Sequence, residues 1–252
     1  MTENGLVADL FHDDTADLRR AIIMLGGSEG GRMWSRPKRL LSALVNRGYS
    51  VLSLAYFKER GLPDSMEEIP LEYFETTFAW RARQPTIMPD KYGLIGGSKG
   101  AEAALLLASR YSKVEVVVAL TPSSVVWSGI PRNRFDLSRH GSSSWFYRGE
   151  GLPFLRVEYG RSDWWSLLTL RLKKKGEEAL RNEADVESAA IPVDDCRCAI
   201  LLLSGRGDQV WPTTMMCDQV MRRLKEARYP HPYQHLAYNT GHTGLVRNKD
   251  GR

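Results

Sequence analysis

The stretch 91–109, KYGLIGGSKGAEAALLLAS, constrains the fold of this chain more than any other. A short apolar run passes through Gly96-Gly97-Ser98-Lys99-Gly100 into a run rich in alanine and leucine. The first part reads as a buried strand, and the second consists of strong helix formers. Joining them through so few residues demands a sharp reversal. Residues two before and two after its centre must be small, and here both are glycine. Such a turn lifts the Ser98 hydroxyl above the end of a sheet, at the N-terminus of the next helix. The Lys99 backbone N–H then points where a tetrahedral oxyanion would form.

G-x-S-x-G alone arises by chance in roughly one chain in ten of this length, so the strand–turn–helix setting carries the weight. Phosphate-binding readings fail. A P-loop has Lys before Ser or Thr, whereas Lys99 follows Ser98, and these glycines lack the G-x-G-x-x-G spacing.

The same rhythm recurs along the chain. Strands are expected at 5–12, 21–25 (AIIML), 49–56, 91–97, VEVVVALTP, 198–205 (CAILLLSG) and YQHLAYN. Helices are expected at 36–48, ending on Gly48, at 70–83, opened by Pro70, at AEAALLLASRY and at MMCDQVMRRLKEA. This alternation predicts an α/β fold, a mostly parallel doubly wound sheet with helices on both faces. The 252 residues, 42% hydrophobic and 26% charged, suit one domain over 1–252. Residues 122–190 show no clear strand and are too long for a bare loop, so they read as a cap-like insertion within it.

A serine hydroxyl needs a base, and the base needs a carboxylate. Of the five histidines, His12 lies in the first strand region, His140 in the insertion, and His231 and His235 flank or enter the last strand. His242 follows that strand in YNTGHTG. For the acid, LLLSGRGDQVWP places Asp208 on a glycine-rich loop after a buried strand. Asp194 and Asp195 precede that strand, and Asp218 falls in the next helix. Ser98, Asp208 and His242 follow strands in the order Ser, Asp, His, so a parallel sheet puts all three on its carboxyl rim. This pattern specifies the α/β-hydrolase fold. The loop LGGSEGG after the first parallel strand offers a second oxyanion donor, the Ser28 N–H, with the Gly27 N–H as alternative.

Cys196, Cys198 and Cys217 are odd in number and lack zinc spacing, so they read as buried thiols. No cofactor and no metal is expected. The opening MTENGLVADLFHDD lacks a signal-peptide pattern, and no apolar run spans a bilayer. The expectation is a soluble cytoplasmic protein without membrane insertion. A net charge of +5 without a recognition motif gives no nucleic-acid partner.

LGGSEGG, LSLAYF, GLPDSMEEIPLEYF, GLIGGSKGAEAALLLAS, SSVVW, SSWFYRGEGLPF and LLLSGRGDQVWP together resemble the C-terminal catalytic region of acyl-CoA thioesterases and bile acid-CoA:amino acid N-acyltransferases. That group is a branch of the dienelactone-hydrolase-like α/β-hydrolases. The resemblance covers about residues 5–244 and implies Ser98 as nucleophile, Asp208 as acid and His242 as base. In that family serine goes with thioester hydrolysis and cysteine with conjugation, so Ser98 implies hydrolysis. Long members carry an N-terminal β-sandwich domain, for which this sequence has no room.

The insertion interleaves Trp127, Trp145, Phe146, Tyr147, Phe154, Trp164 and Trp165 with Arg132, Arg134, Arg139, Arg148, Arg156, Arg161, Arg171, Lys173, Lys174 and Lys175. Two readings follow: aromatics lining an acyl tunnel with cations meeting CoA phosphates, or core tryptophans beneath a solvated basic face. The expected partner is a small-molecule acyl thioester or ester, including acyl-CoA. The alternatives are acyl transfer to an amine or alcohol, a carboxylesterase or dienelactone-hydrolase-like esterase, and a non-catalytic binder.

Overall fold

In a computed structural model, the residues described are 2–3, 5–13, 19–35, 38–84, 87–133, 136, 141–160 and 163–245. His140, Arg134, Arg139 and Arg161 lie outside them. The strands, in chain order, are β1 (Thr2–Glu3), β2 (Leu6–Phe11), β3 (Arg19–Leu25), β4 (Tyr49–Ala55), β5 (Ile69–Pro70), β6 (Ile87–Gly97), β7 (Val114–Leu120), β8 (Trp145–Tyr147), β9 (Glu150–Gly151), β10 (Ala199–Gly205) and β11 (Tyr233–Tyr238). The helices are α1 (Lys38–Val45), α2 (Glu72–Ala82), α3 (Lys99–Arg110), α4 (Trp164–Thr169), α5 (Lys173–Ala179), α6 (Glu183–Ser188) and α7 (Thr213–Glu226).

Eight strands form the main sheet in the order β1-β2-β4-β3-β6-β7-β10-β11. The six from β4 to β11 pair in parallel, and β2 runs antiparallel to β4 and β1. The chain leaves β3 for β4 on one side and returns through β6 on the other. The order reverses between β3 and β6, and ligand crevices of such sheets open at the carboxyl ends flanking that point. The loops found there hold Gly26–Gly31 and Ser98.

Strand residues alternate between two packed layers. Ile23, Leu25, Leu52, Leu94 and Leu202 join Phe74 of α2, Leu105 of α3 and Val220 of α7 on one face. Ile22, Met24 and Val51 join Trp34 and Leu41 of α1 on the other. Each such fully buried aliphatic side chain is worth about 1.5–3 kcal/mol relative to its exposed state. The mostly parallel α/β sheet flanked by helices is therefore observed as expected.

Two expectations shift. Pro70 does not open a helix. It ends β5, and α2 starts at Glu72. Within 122–190, where no strand was expected, β8 pairs in parallel with β5 and antiparallel with β9 in a three-stranded sheet. These strands are two or three residues long, too short for a period-two pattern to show. The rest of that segment holds α4, α5 and α6, and its Val125, Trp127, Leu155, Leu180 and Ala189 form a separate apolar cluster with Met216 of α7.

Candidate active site

β6 ends at Gly97 and α3 begins at Lys99, leaving Ser98 alone between them with φ 54° and ψ −119°. A non-glycine residue rarely adopts this backbone, and such strain persists only where surroundings enforce it. The enforcement is visible. A β-carbon at Gly96 would overlap the Gly100 carbonyl, and one at Gly100 would overlap the carbonyls of Leu25 and Gly26. Trp34 packs against Gly97 and donates its indole N–H to the Leu25 carbonyl at 2.8 Å. The glycines expected from sequence are thus required by backbone contact.

His242 Nε2 lies 3.0 Å from Ser98 Oγ, and its Nδ1 lies 2.7 Å from Asp208 Oδ2. Ser98, Asp208 and His242 are brought together. Asp208 is almost fully buried, so its carboxylate needs donors. Oδ1 accepts from the N–H groups of Val210 at 2.8 Å and Trp211 at 3.3 Å, and Oδ2 accepts from the Thr213 hydroxyl at 3.1 Å. Trp211 sets its ring edge-on to His242, with centroids 5.9 Å apart, and stacks on Trp127. The loops after β10 and β11 are laced by Gly207 N–H to the Thr240 carbonyl at 3.0 Å and Arg206 N–H to the Tyr238 carbonyl at 2.9 Å.

A second chain of the same three residue types exists. Ser204 Oγ lies 2.8 Å from His235 Nε2, and His235 Nδ1 lies 3.1 Å from Asp218 Oδ1. Ser204, however, is 0% exposed inside β10. It has no strained turn and no free helix N-terminus, so this chain satisfies the buried Ser204 hydroxyl through His235, with Asp218 at the exposed end, and its serine cannot receive a substrate.

The Lys99 N–H begins α3 and has no carbonyl one turn behind it within the helix. Gly27 packs against Ser98: a β-carbon there would come 3.0 Å from Ser98 Cβ. The Gly27 N–H donates to Glu29 Oε1 at 2.8 Å, whereas Ser28 is exposed and its carbonyl accepts from Lys58 Nζ at 3.0 Å. The Tyr56 hydroxyl bonds the Gly26 carbonyl at 2.5 Å and anchors this loop. Burial, then the nearby Glu29 and Glu102 carboxylates, hold the Tyr56 phenol well above its usual range.

The Lys99 side chain turns inward and pairs with Glu102 at 2.7 Å, both buried. Glu102 Oε1 also accepts from the Trp145 indole at 2.8 Å and the Trp127 N–H at 3.3 Å. Trp145 packs on Tyr56 and Phe74. The aromatics of 122–190 are therefore split: Trp127 and Trp145 are core, while Trp164 and Trp165 are exposed. Sequence reasoning missed Thr213, Trp211, Glu29 and Glu102. Trp211 stood within the quoted GRGDQVWP, and the others carried no spacing signal. The three cysteines are buried and unbridged. Among the described residues no cluster could hold a metal ion, and no helix is long and apolar enough to cross a membrane.

A family model described as BAAT / Acyl-CoA thioester hydrolase C terminal matches residues 69–244. Human acyl-coenzyme A thioesterase 1 is 27% identical over 228 residues, covering 88% of this chain and 48% of that protein. Mouse acyl-coenzyme A amino acid N-acyltransferase 1 is 26% identical over 204 residues, covering 81% and 43%. The chain thus spans about half the length of the curated relatives it matches. Among solved structures, a Klebsiella pneumoniae protein assigned provisionally as a dienelactone hydrolase superposes with TM-score 0.61 at 13% identity, covering 98% of this chain and 87% of that one. A Pyrococcus furiosus esterase superposes with TM-score 0.56 at 16% identity, covering 97% and 83%. These neighbours establish the α/β-hydrolase fold.

Proposed function

Because this chain belongs to the BAAT and acyl-CoA thioester hydrolase C-terminal family, we propose that it is a serine hydrolase cleaving acyl thioesters such as acyl-CoA. The observation that carries the reading is the hydrogen-bonded chain Ser98 Oγ–His242 Nε2, His242 Nδ1–Asp208 Oδ2, beginning at a strained serine. Ser98 Oγ attacks the acyl carbonyl as His242 Nε2 takes its proton. Asp208 holds the Nδ1–H tautomer and stabilises the imidazolium. The N–H groups of Lys99 and Ser28 receive the oxyanion. Collapse expels the thiolate, which takes the proton from His242. Water, deprotonated by His242, then attacks the acyl-Ser98 ester and releases the acid.

We assign residues 122–190 as a cap on a single 1–252 domain. The Trp127–Trp211 stacking and the Glu102 hydrogen bonds support this, since they tie the segment to the Asp208 loop and to α3, the helix that follows Ser98. The buried free thiols suit a reducing cytoplasm. A panel of acyl-CoAs of graded chain length against simple esters tests the substrate class. Ester turnover without thioester turnover removes the thioesterase reading. The likeness to an N-acyltransferase supports a second reading, transfer to an amine. It is tested by looking for acyl-amide product when glycine is added.

A further inference from the structure

Residues 164–175, WWSLLTLRLKKK, contain four basic residues and no acidic one. α4 occupies Trp164–Thr169. Its Leu167 is buried and fixes the helix to the body. Trp164 and Trp165 are 54% and 59% exposed, and Leu168 and Leu170 are 43% and 46% exposed. Trp164 and Leu168 are one turn apart on one helix face. The two indoles meet edge to face at 5.2 Å. The paired Trp164 and Trp165 with Leu168 on the helix, and Leu170 at its cap, are thus large apolar side chains left in water along one short segment, and exposed apolar surface of this kind marks interaction sites.

The backbone adds to this. Leu170 caps α4 in the left-handed region at φ 54°, where glycine would be easier. A leucine there costs stability and presents its side chain to solvent. The position of the patch is also fixed. Lys175 closes the α4–α5 turn by pairing with Asp163 at 3.2 Å, and the Lys173 N–H bonds the Gln209 carbonyl at 3.0 Å, one residue from Asp208.

We propose that Trp164, Trp165, Leu168 and Leu170 dock this protein on an anionic phospholipid bilayer. Tryptophan and leucine beside lysine and arginine are the side chains that partition into the headgroup layer. Lys173 and Lys175 have carboxylate partners, but among the described residues Arg171 and Lys174 have none, which leaves them for lipid phosphates. A second copy fits poorly, because a two-fold contact would press this basic rim against itself. The Lys173–Gln209 hydrogen bond links this docking segment to the Asp208 loop, and, resting on the proposed thioester hydrolysis, docking would bring the protein to the surface where long-chain acyl amphiphiles reside.

The test is sedimentation of the full chain with phosphatidylcholine vesicles, with and without phosphatidylserine, alongside hydrolysis of a water-soluble ester. The wild type should sediment with the anionic vesicles and be released by salt. Trp164→Ser/Trp165→Ser should abolish sedimentation with soluble-ester hydrolysis intact. Arg171→Gln and Lys174→Gln should each weaken it about fivefold. Should the tryptophan variant also lose ester hydrolysis, the basic variants decide, since both sites are exposed. No sedimentation of the wild type, or equal sedimentation of all variants, overturns the proposal. A self-association abolished by Trp164→Ser/Trp165→Ser without vesicle binding also overturns it, assigning the patch to a second copy.

Discussion

His242 Nε2 lies 3.0 Å from Ser98 Oγ although 144 positions separate the two residues. The contact depends on three strand ends reaching one rim, β6 before Ser98, β10 before Asp208 and β11 before His242. β10 pairs with β7 and β11 in parallel, and the Gly205–Thr240 approach allows no side chain on Gly205. Sheet register therefore sets the candidate catalytic distance, and changes at the loop crossings should reach the chemistry.

Asp208→Asn is expected to lower kcat about 10⁴-fold with the fold retained, because the amide favours the wrong imidazole tautomer. Thr213→Val, which removes one donor to Asp208 Oδ2 at 3.1 Å, should cost about tenfold. Steady-state kinetics on one soluble ester checks both.

Glycine substitutions should separate by position. Gly100→Ala forces a methyl into the Leu25 and Gly26 carbonyls and should yield no soluble folded protein. Gly48 has φ +82° with open space around its β position. Gly48→Ala should thus cost only about 1–2 kcal/mol, read from urea unfolding.

Glu102→Gln leaves the Lys99 ammonium buried without its carboxylate and should destabilise by about 3–5 kcal/mol. Burial already pushes the Lys99 ammonium down and the Glu102 carboxyl up from their ordinary ranges. Adding Lys99→Met to Glu102→Gln should recover most of the loss. A double variant as unstable as the sum of both singles would remove the pair from the account.

Much of this was legible in sequence because the relevant signals are local. Gly96 and Gly100 announce the turn, and an aspartate and a histidine on loops after strands announce the rim. What stayed hidden depends on distant partners. The β5–β8–β9 sheet pairs segments separated by some 75 residues through strands too short to show a pattern. Glu102 reads as an exposed helix residue until Trp145 and Trp127 donate to it. For Trp164 and Trp165 the two readings, tunnel lining or core, both gave way to exposure, because composition cannot tell a packed tryptophan from one left in water.

The most direct measurement is covalent labelling by a fluorophosphonate, followed by peptide mass analysis, on the wild type, Ser98→Ala and Ser204→Ala. One adduct on Ser98 is expected, with no adduct in Ser98→Ala and labelling kept in Ser204→Ala. An unlabelled wild type, or equal labelling of Ser98→Ala, would contradict it.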